Sequence, residues 1–239
     1  MKFLNIDSPL MRFLSRMGDL MLLNILTAIL CLPIITAGAA ITALHYVSLK
    51  MVRGEEGYIF KDYMRSFKQN FKQATAIWAI GLVIILIFVG DYYILLNAEN
   101  VPQGLGMIIL AVSIIVFVVS RYIFPVLSHF ENTTLKTIKN GVFMSLMAVP
   151  KAFCMAILEI TPIVLLYFTV RVMPLVLLFG ISLPAYLGAM LYNTTFKKFE
   201  PEDENKPTSD EEFHVVMDEV IPEEGTIEGS ETDKEESRD

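Results

Sequence analysis

The 239-residue sequence is poor in the residues that build catalytic and metal centres. It has two cysteines, Cys31 and Cys154, and both fall within apolar stretches. Neither a disulfide framework nor a cysteine metal cluster is therefore available, and each reads as a small apolar side chain. The three histidines, His45, His129 and His214, are far apart, and none stands in a His-Glu-x-x-His or Cys/His spacing that would present two ligands to one ion. Gly180-Ile181-Ser182-Leu183-Pro184 lacks the second glycine of a nucleophile elbow, and no glycine-rich loop with its lysine is there to cradle a phosphate. Without paired carboxylates or a nucleophile–base pair, the sequence points away from an enzyme, and no cofactor, metal or nucleic-acid partner is expected.

Between Leu20 and Leu191 the chain instead repeats apolar stretches long enough to cross a bilayer, separated by short segments rich in Lys and Arg. A membrane helix needs about 20 mostly apolar residues, and Thr75 to Leu96 and Leu105 to Leu127 each meet that length. The pI near 5.1 hides the charge of this body. Residues 200–239 hold 17 Asp and Glu against three Lys and Arg, a net −14, which leaves 16 Lys and Arg against nine Asp and Glu, a net +7, in the first 199 residues. The domain organisation read from this is a helical transmembrane domain over 1–199 followed by an acidic cytoplasmic tail over 200–239.

The N-terminal apolar region has three readings. Met17 to Leu32 and Ala39 to Leu49 flank Pro33-Ile34-Ile35-Thr36-Ala37-Gly38. They form one span broken at Pro33, a short hairpin of two helices turning at Pro33, Thr36 and Gly38, or a cleaved signal peptide ending at Ala37-Gly38-Ala39. Lys and Arg near span ends stay on the cytoplasmic side. Lys2, Arg12 and Arg16 precede the region, and Lys50, Arg53, Lys61, Arg65, Lys68 and Lys72 follow it, so both flanks belong inside. The rule favours the hairpin, with the single span left as a five-span alternative. Thr75 to Leu96 then runs outward, Leu105 to Leu127 returns, Lys151 to Thr169 leads out to a turn at Val170 to Met173, and Pro174 to Tyr192 returns. The expected fold is all-α and polytopic, with about six transmembrane helices and both termini in the cytoplasm of a bacterial cell membrane.

Two basic segments are too polar to be spans. Tyr58 to Lys72 places Ile59, Tyr63, Phe67 and Phe71 at near-helical spacing, and Leu135 to Val149 does the same with Leu135, Ile138, Val142 and Leu146. Such patterns predict helices lying on the inner membrane surface, anchored to anionic lipid or docked to a partner protein. Phe67, Lys68, Asn70 and Phe71 are the candidate interfacial or docking residues. Ser66-Phe67-Lys68-Gln69-Asn70 against Thr137-Ile138-Lys139-Asn140 hints at a diverged internal repeat.

Charges within a span are expensive and mark candidate functional positions. Arg121 and Glu159 fall at a similar depth, about 10 Å from the inner ends of their spans at 1.5 Å per residue, and are expected to pair. The pair either fixes helix register or belongs to a substrate or proton site. Asp91 and Arg171 form a second candidate pair, and Asp19 is expected to cap or flank the first helix. Asn132-Thr133-Thr134 and Asn193-Thr194-Thr195 match glycosylation acceptors but fall on the predicted inside. The tail has the composition of a disordered segment, though its cluster from Phe213 to Ile221 is a candidate docking motif.

The stretch from Leu32 to Ala40, with Ala43-Leu44-His45-Tyr46, Lys50-Met51-Val52-Arg53-Gly54-Glu55 and Asp62-Tyr63-Met64-Arg65-Ser66-Phe67-Lys68-Gln69-Asn70-Phe71, resembles the YesL family of small bacterial membrane proteins, a domain of unknown function. The resemblance is specific across Pro33 to Phe71 and consistent in layout to about Tyr192. It implies an all-helical membrane fold and frequent genomic company with carbohydrate ABC importers and glycan-degrading enzymes, and it carries over no binding or catalytic residues. The leading expectation is a non-enzymatic accessory subunit of such an importer, touching its permease or ATPase subunits. The chain lacks both the nucleotide-binding loop of the ATPase and the Glu-Ala-Ala motif of the permease. A stand-alone transporter or channel, as a single chain or a homo-oligomer, and a membrane-anchored adaptor acting through the acidic tail are the alternatives.

Overall fold

The computed structural model describes residues 9–55, 57–97 and 102–200. The acidic tail beyond Glu200, its Phe213 to Ile221 cluster and Lys2 lie outside the described residues. Among the described residues there are nine α-helices and no strand: α1 (Pro9–Cys31), α2 (Ala37–Arg53), α3 (Ile59–Asn97), α4 (Gln103–Ser120), α5 (Ile123–His129), α6 (Thr134–Met147), α7 (Val149–Phe168), α8 (Met173–Phe179) and α9 (Ser182–Phe196). Five helical stretches are long and apolar enough to cross a membrane, and a bent pair at the C-terminal end of the body makes a sixth. The protein is a polytopic helical membrane protein.

The hairpin reading of the N-terminal region matches the architecture. Pro33 ends α1 because proline disfavours helical backbone in the residue before it. A single 3₁₀ turn, Ile34–Thr36, then leads into α2. At the far end of α2, Gly54 takes a left-handed conformation (φ 71°) that L side chains rarely adopt, closing the helix with its N–H on the carbonyls of Lys50 and Met51.

α2 is the axle of the fold. It packs against α1, α3, α5 and α9, and 12 of its 17 residues are buried, so it meets protein on nearly all sides. Small residues make this enclosure feasible. A Cβ on Gly38 would stand 2.6 Å from both the Ala74 carbonyl oxygen and Trp78 Cβ, so only glycine lets α3 approach this closely. Ala39, Ala40 and Ala43 are fully buried beside it.

Many large apolar side chains point the other way. Leu86, Met107, Ile163 and Leu177 are exposed, while the interior mixes alanine, serine and threonine with Leu20, Leu23, Met155, Phe196 and the rings of Tyr63, Tyr122 and Tyr192. A soluble protein would hide its leucines and isoleucines. Here many of them face outward, where lipid tails are as apolar as they are.

The structure departs from the predicted elements at three places. Tyr58 to Lys72 is not a separate surface helix. It is the start of the 39-residue α3, which runs unbroken into the predicted span over about 58 Å. Tyr63 and Ser66 are buried, and Phe67 and Phe71 pack on the core beneath α2 and α5. The apolar pattern read as lipid-facing is thus largely a protein contact. The Leu105 to Leu127 span is interrupted at Arg121-Tyr122, and the Pro174 to Tyr192 span is bent by 58° between α8 and α9. The second amphipathic segment does form its own helix, α6, separated from α7 only by Ala148.

Candidate functional site

The hairpin turn is held by its own polar groups. Thr36 Oγ1 donates to the carbonyls of Leu30 and Pro33, and Trp78 Nε1 reaches from α3 to the Ile34 carbonyl at 2.8 Å. Together with the Gly38–Ala74 approach, Pro33, Thr36 and Gly38 form a tied helix connection. At the other end of α2, Lys50 Nζ bonds Asp62 Oδ2 at 2.8 Å and locks α2 to the start of α3. Lys61, Arg65, Lys68, Gln69 and Lys72 stand on the exposed side of that helix. Asn70 turns inward along its own helix, its amide donating to the Ser66 carbonyl.

Arg121 and Glu159 do meet, as their matched depths predict: Arg121 Nη1 bonds Glu159 Oε2. The arginine does more than neutralise a carboxylate. Its Nε donates to the Phe117 carbonyl at 3.1 Å, its Nη2 to Ser120 Oγ at 3.2 Å, and its guanidinium sits 4.2 Å from the Phe117 ring centroid. Where α4 stops, carbonyls lose their helical donors. Arg121 serves one of them and brings a positive charge to the negative end of the helix, and Ser145 Oγ reaches the adjacent Val118 carbonyl from α6.

The bend between α8 and α9 is mended from α1. Asn24, 1% exposed, donates from Nδ2 to the Leu177 carbonyl at 2.8 Å. Its Oδ1 accepts the backbone N–H of Ile181 at 2.8 Å and of Ser182 at 3.0 Å. One amide thus supplies a donor to the end of α8 and an acceptor to the start of α9. Backbone without helical partners is tolerated at membrane depth only when protein satisfies it. Sequence reasoning missed this role. The one available signal was an asparagine alone among apolar residues, together with the Gly-Ile-Ser-Leu-Pro punctuation of the last span.

A second missed set lies between α2, α9 and the α4–α5 junction. Tyr192 OH donates to the His45 carbonyl at 3.2 Å, with His45 Nδ1 at 3.5 Å. Tyr122 OH stands 3.4 Å from Thr195 Oγ1, and the rings of Tyr122, Tyr192 and Phe196 pack on one another. The Asn193-Thr194-Thr195 sequence is consumed in helix packing: Arg53 of α2 donates to Asn193 Oδ1 at 3.0 Å, and Lys151 of α7 bonds the hydroxyls of Thr194 and Thr195.

Two further expectations fail. Asp91 and Arg171 form no ion pair among the described residues. Asp19 lies in the middle of α1, one turn beyond Arg16, and caps nothing, because the helix begins at least ten residues earlier. No group of three His, Cys, Asp or Glu side chains among the described residues is placed to hold a metal ion. What the geometry displays is a set of polar ties at helix ends, an exposed basic edge on α3, and a basic cleft where α6, α7 and α9 meet.

No curated protein and no solved structure matches the chain. A family model described as "Protein of unknown function, DUF624" matches residues 20–92, from the middle of α1 through the whole of α2 and most of α3. That stretch contains the residues of the YesL resemblance, and YesL is itself a DUF624 family.

Proposed function

We propose that the chain is a non-enzymatic accessory subunit of a bacterial carbohydrate ABC importer, set in the cell membrane with both termini cytoplasmic and touching the importer's permease. The observation that carries this reading is the exposed basic edge of α3. Lys61, Arg65, Lys68 and Lys72 are mounted on a helix whose opposite side is buried against α2 through Tyr63 and Ser66. The same helix continues into a stretch whose apolar residues, Val83 to Ile87, are exposed. A rigid rod with a basic foot and an apolar shaft suits lateral contact with another membrane subunit together with contact to its acidic cytoplasmic surface or its ATPase. The genomic company implied by the YesL resemblance supplies the importer as partner.

Purification of the tagged chain from native membranes in mild detergent is the test. Importer permease subunits should co-purify, and should be lost when Lys61, Arg65 and Lys68 are all changed to Glu. Recovery of the chain without permease subunits overturns the reading.

A stand-alone transporter is the second reading, favoured by the contact of Arg121 with Glu159 within the spans. The additional bonds of Arg121 to Phe117 and Ser120 speak for a structural role of that pair. Uptake of sugar into vesicles containing this chain alone would support the transporter. The adaptor reading, acting through the acidic tail, concerns residues outside those described.

A further inference from the structure

Where α6 gives way to α7, an open cleft of about 280 Å³ lies against the end of α9. Its polar lining is Lys151, Lys198 and Thr195, its apolar lining includes Met147, Pro150 and Phe199, and no carboxylate contributes to its wall. Two lysines line it without a counter-charge among the lining residues.

The cleft is organised to receive an anion. Lys151 Nζ is positioned by the hydroxyls of Thr194 and Thr195. An ammonium has three protons, so one remains to be given to a ligand. Lys198 is exposed and has no partner among the described residues. The wall also includes the first turn of the 20-residue α7, whose cap position is Ala148 and carries no side-chain hydrogen bond. Pro150 in that turn has no N–H and the Ala152 N–H is bonded to the Ala148 carbonyl, so the positive field in the cleft comes from the two lysines.

The rim selects among anions. Met147 and Phe199 are exposed there, at 59% and 37%, at the end of a bundle whose sides are apolar. A small hydrophilic anion would gain nothing from them. A ligand whose charge sits in the cleft and whose hydrocarbon continues along the bundle uses both.

We propose that this cleft binds the phosphate headgroup of an anionic phospholipid, Lys151 and Lys198 holding the phosphate while Met147 and Phe199 flank the start of the acyl chains. The proposal rests on the membrane fold and not on the importer reading. It differs from general attraction of basic segments to a charged surface, because two named lysines and a shaped cleft set a one-to-one stoichiometry.

The test uses the full-length chain in uncharged detergent, titrated with short-chain phosphatidylglycerol, with phosphatidylcholine of the same chain length and with inorganic phosphate. Binding is read by native mass spectrometry and calorimetry. Phosphatidylglycerol should bind saturably at one site and more tightly than phosphatidylcholine, and each lysine replaced by glutamine should weaken it by roughly fivefold. Lys198→Gln is the decisive variant, since Lys198 makes no tie that the fold needs. Unchanged binding in Lys198→Gln and in the Lys151→Gln, Lys198→Gln double variant overturns the proposal. So does inorganic phosphate binding as tightly as the lipid, which would make the cleft a site for free phosphate, and so does equal affinity for phosphatidylcholine.

Discussion

Asn24 Oδ1 accepts the backbone N–H of Ser182 at 3.0 Å across 158 positions of sequence, joining the first helix of the bundle to the last. The same side chain also holds Ile181 and Leu177, so the bend and the tie form one device. A bend of 58° within a span would otherwise leave peptide groups without partners in a medium that offers none.

Replacing Asn24 by Leu removes three hydrogen bonds while roughly conserving volume. At about 0.6 kcal/mol for each such bond in a membrane protein, the loss is roughly 2 kcal/mol. Unfolding in mixed micelles with rising dodecyl sulfate should show it, and a midpoint equal to that of the parent chain would mean the bridge contributes nothing.

Removing either charge of the Arg121–Glu159 pair strands the other at roughly 2.5–3.5 kcal/mol on insertion-based scales for a span centre. Arg121→Leu should be the worse of the two, because it also frees the Phe117 carbonyl. The exchanged variant, Arg121→Glu with Glu159→Arg, is expected to recover part of the loss and not all of it. Membrane-inserted yield and thermal midpoint report this, and a double variant as poor as both singles would show that the pairing has no energetic weight.

Gly38→Val drives a side chain into the Ala74 carbonyl and Trp78, and backbone cannot step aside as a flexible side chain would. The expected penalty is about 1–3 kcal/mol, visible as a lowered unfolding midpoint. Gly18→Ala is the contrast: nothing lies within 4 Å of the added methyl, and α1 should be unharmed or slightly firmer. Equal effects of the two substitutions would remove the close α2–α3 approach as the reason for glycine at 38.

The proposed orientation predicts labelling from one side only. In a chain with Cys31 and Cys154 changed to Ala, a cysteine introduced at Gln103 should react with an impermeant maleimide added to intact cells, and one at Lys139 should react only after lysis. The reverse pattern would invert the topology.

The number and order of spans were legible in the sequence because lipid imposes a length that apolar runs of about 20 residues announce directly. The turn at Pro33 was legible for a local reason, and the Arg121–Glu159 contact because two isolated charges at matched depth have few other ways to be neutralised. The breaks were not. A run of apolar residues looks the same whether the helix within it is whole or bent, and the groups that mend α8–α9 come from Asn24, far away in the chain. The start of α3 was misread for a related reason: Tyr63, Phe67 and Phe71 form the same pattern whether they face lipid or α2, and basic residues beside them tilted the reading to the surface. His45 and Tyr192 gave no local sign at all, since each meets its partner only through packing of α2 on α9.

The enclosure of α2 has a consequence for how the chain is made. It leaves the ribosome before α3, α5 and α9, carrying Thr42, His45 and Ser48 on faces that are buried only when those helices have joined it. α9 is the last of these to be synthesised. Until α9 is made, the helix at the centre of the finished protein therefore stands in the bilayer with part of its polar face uncovered.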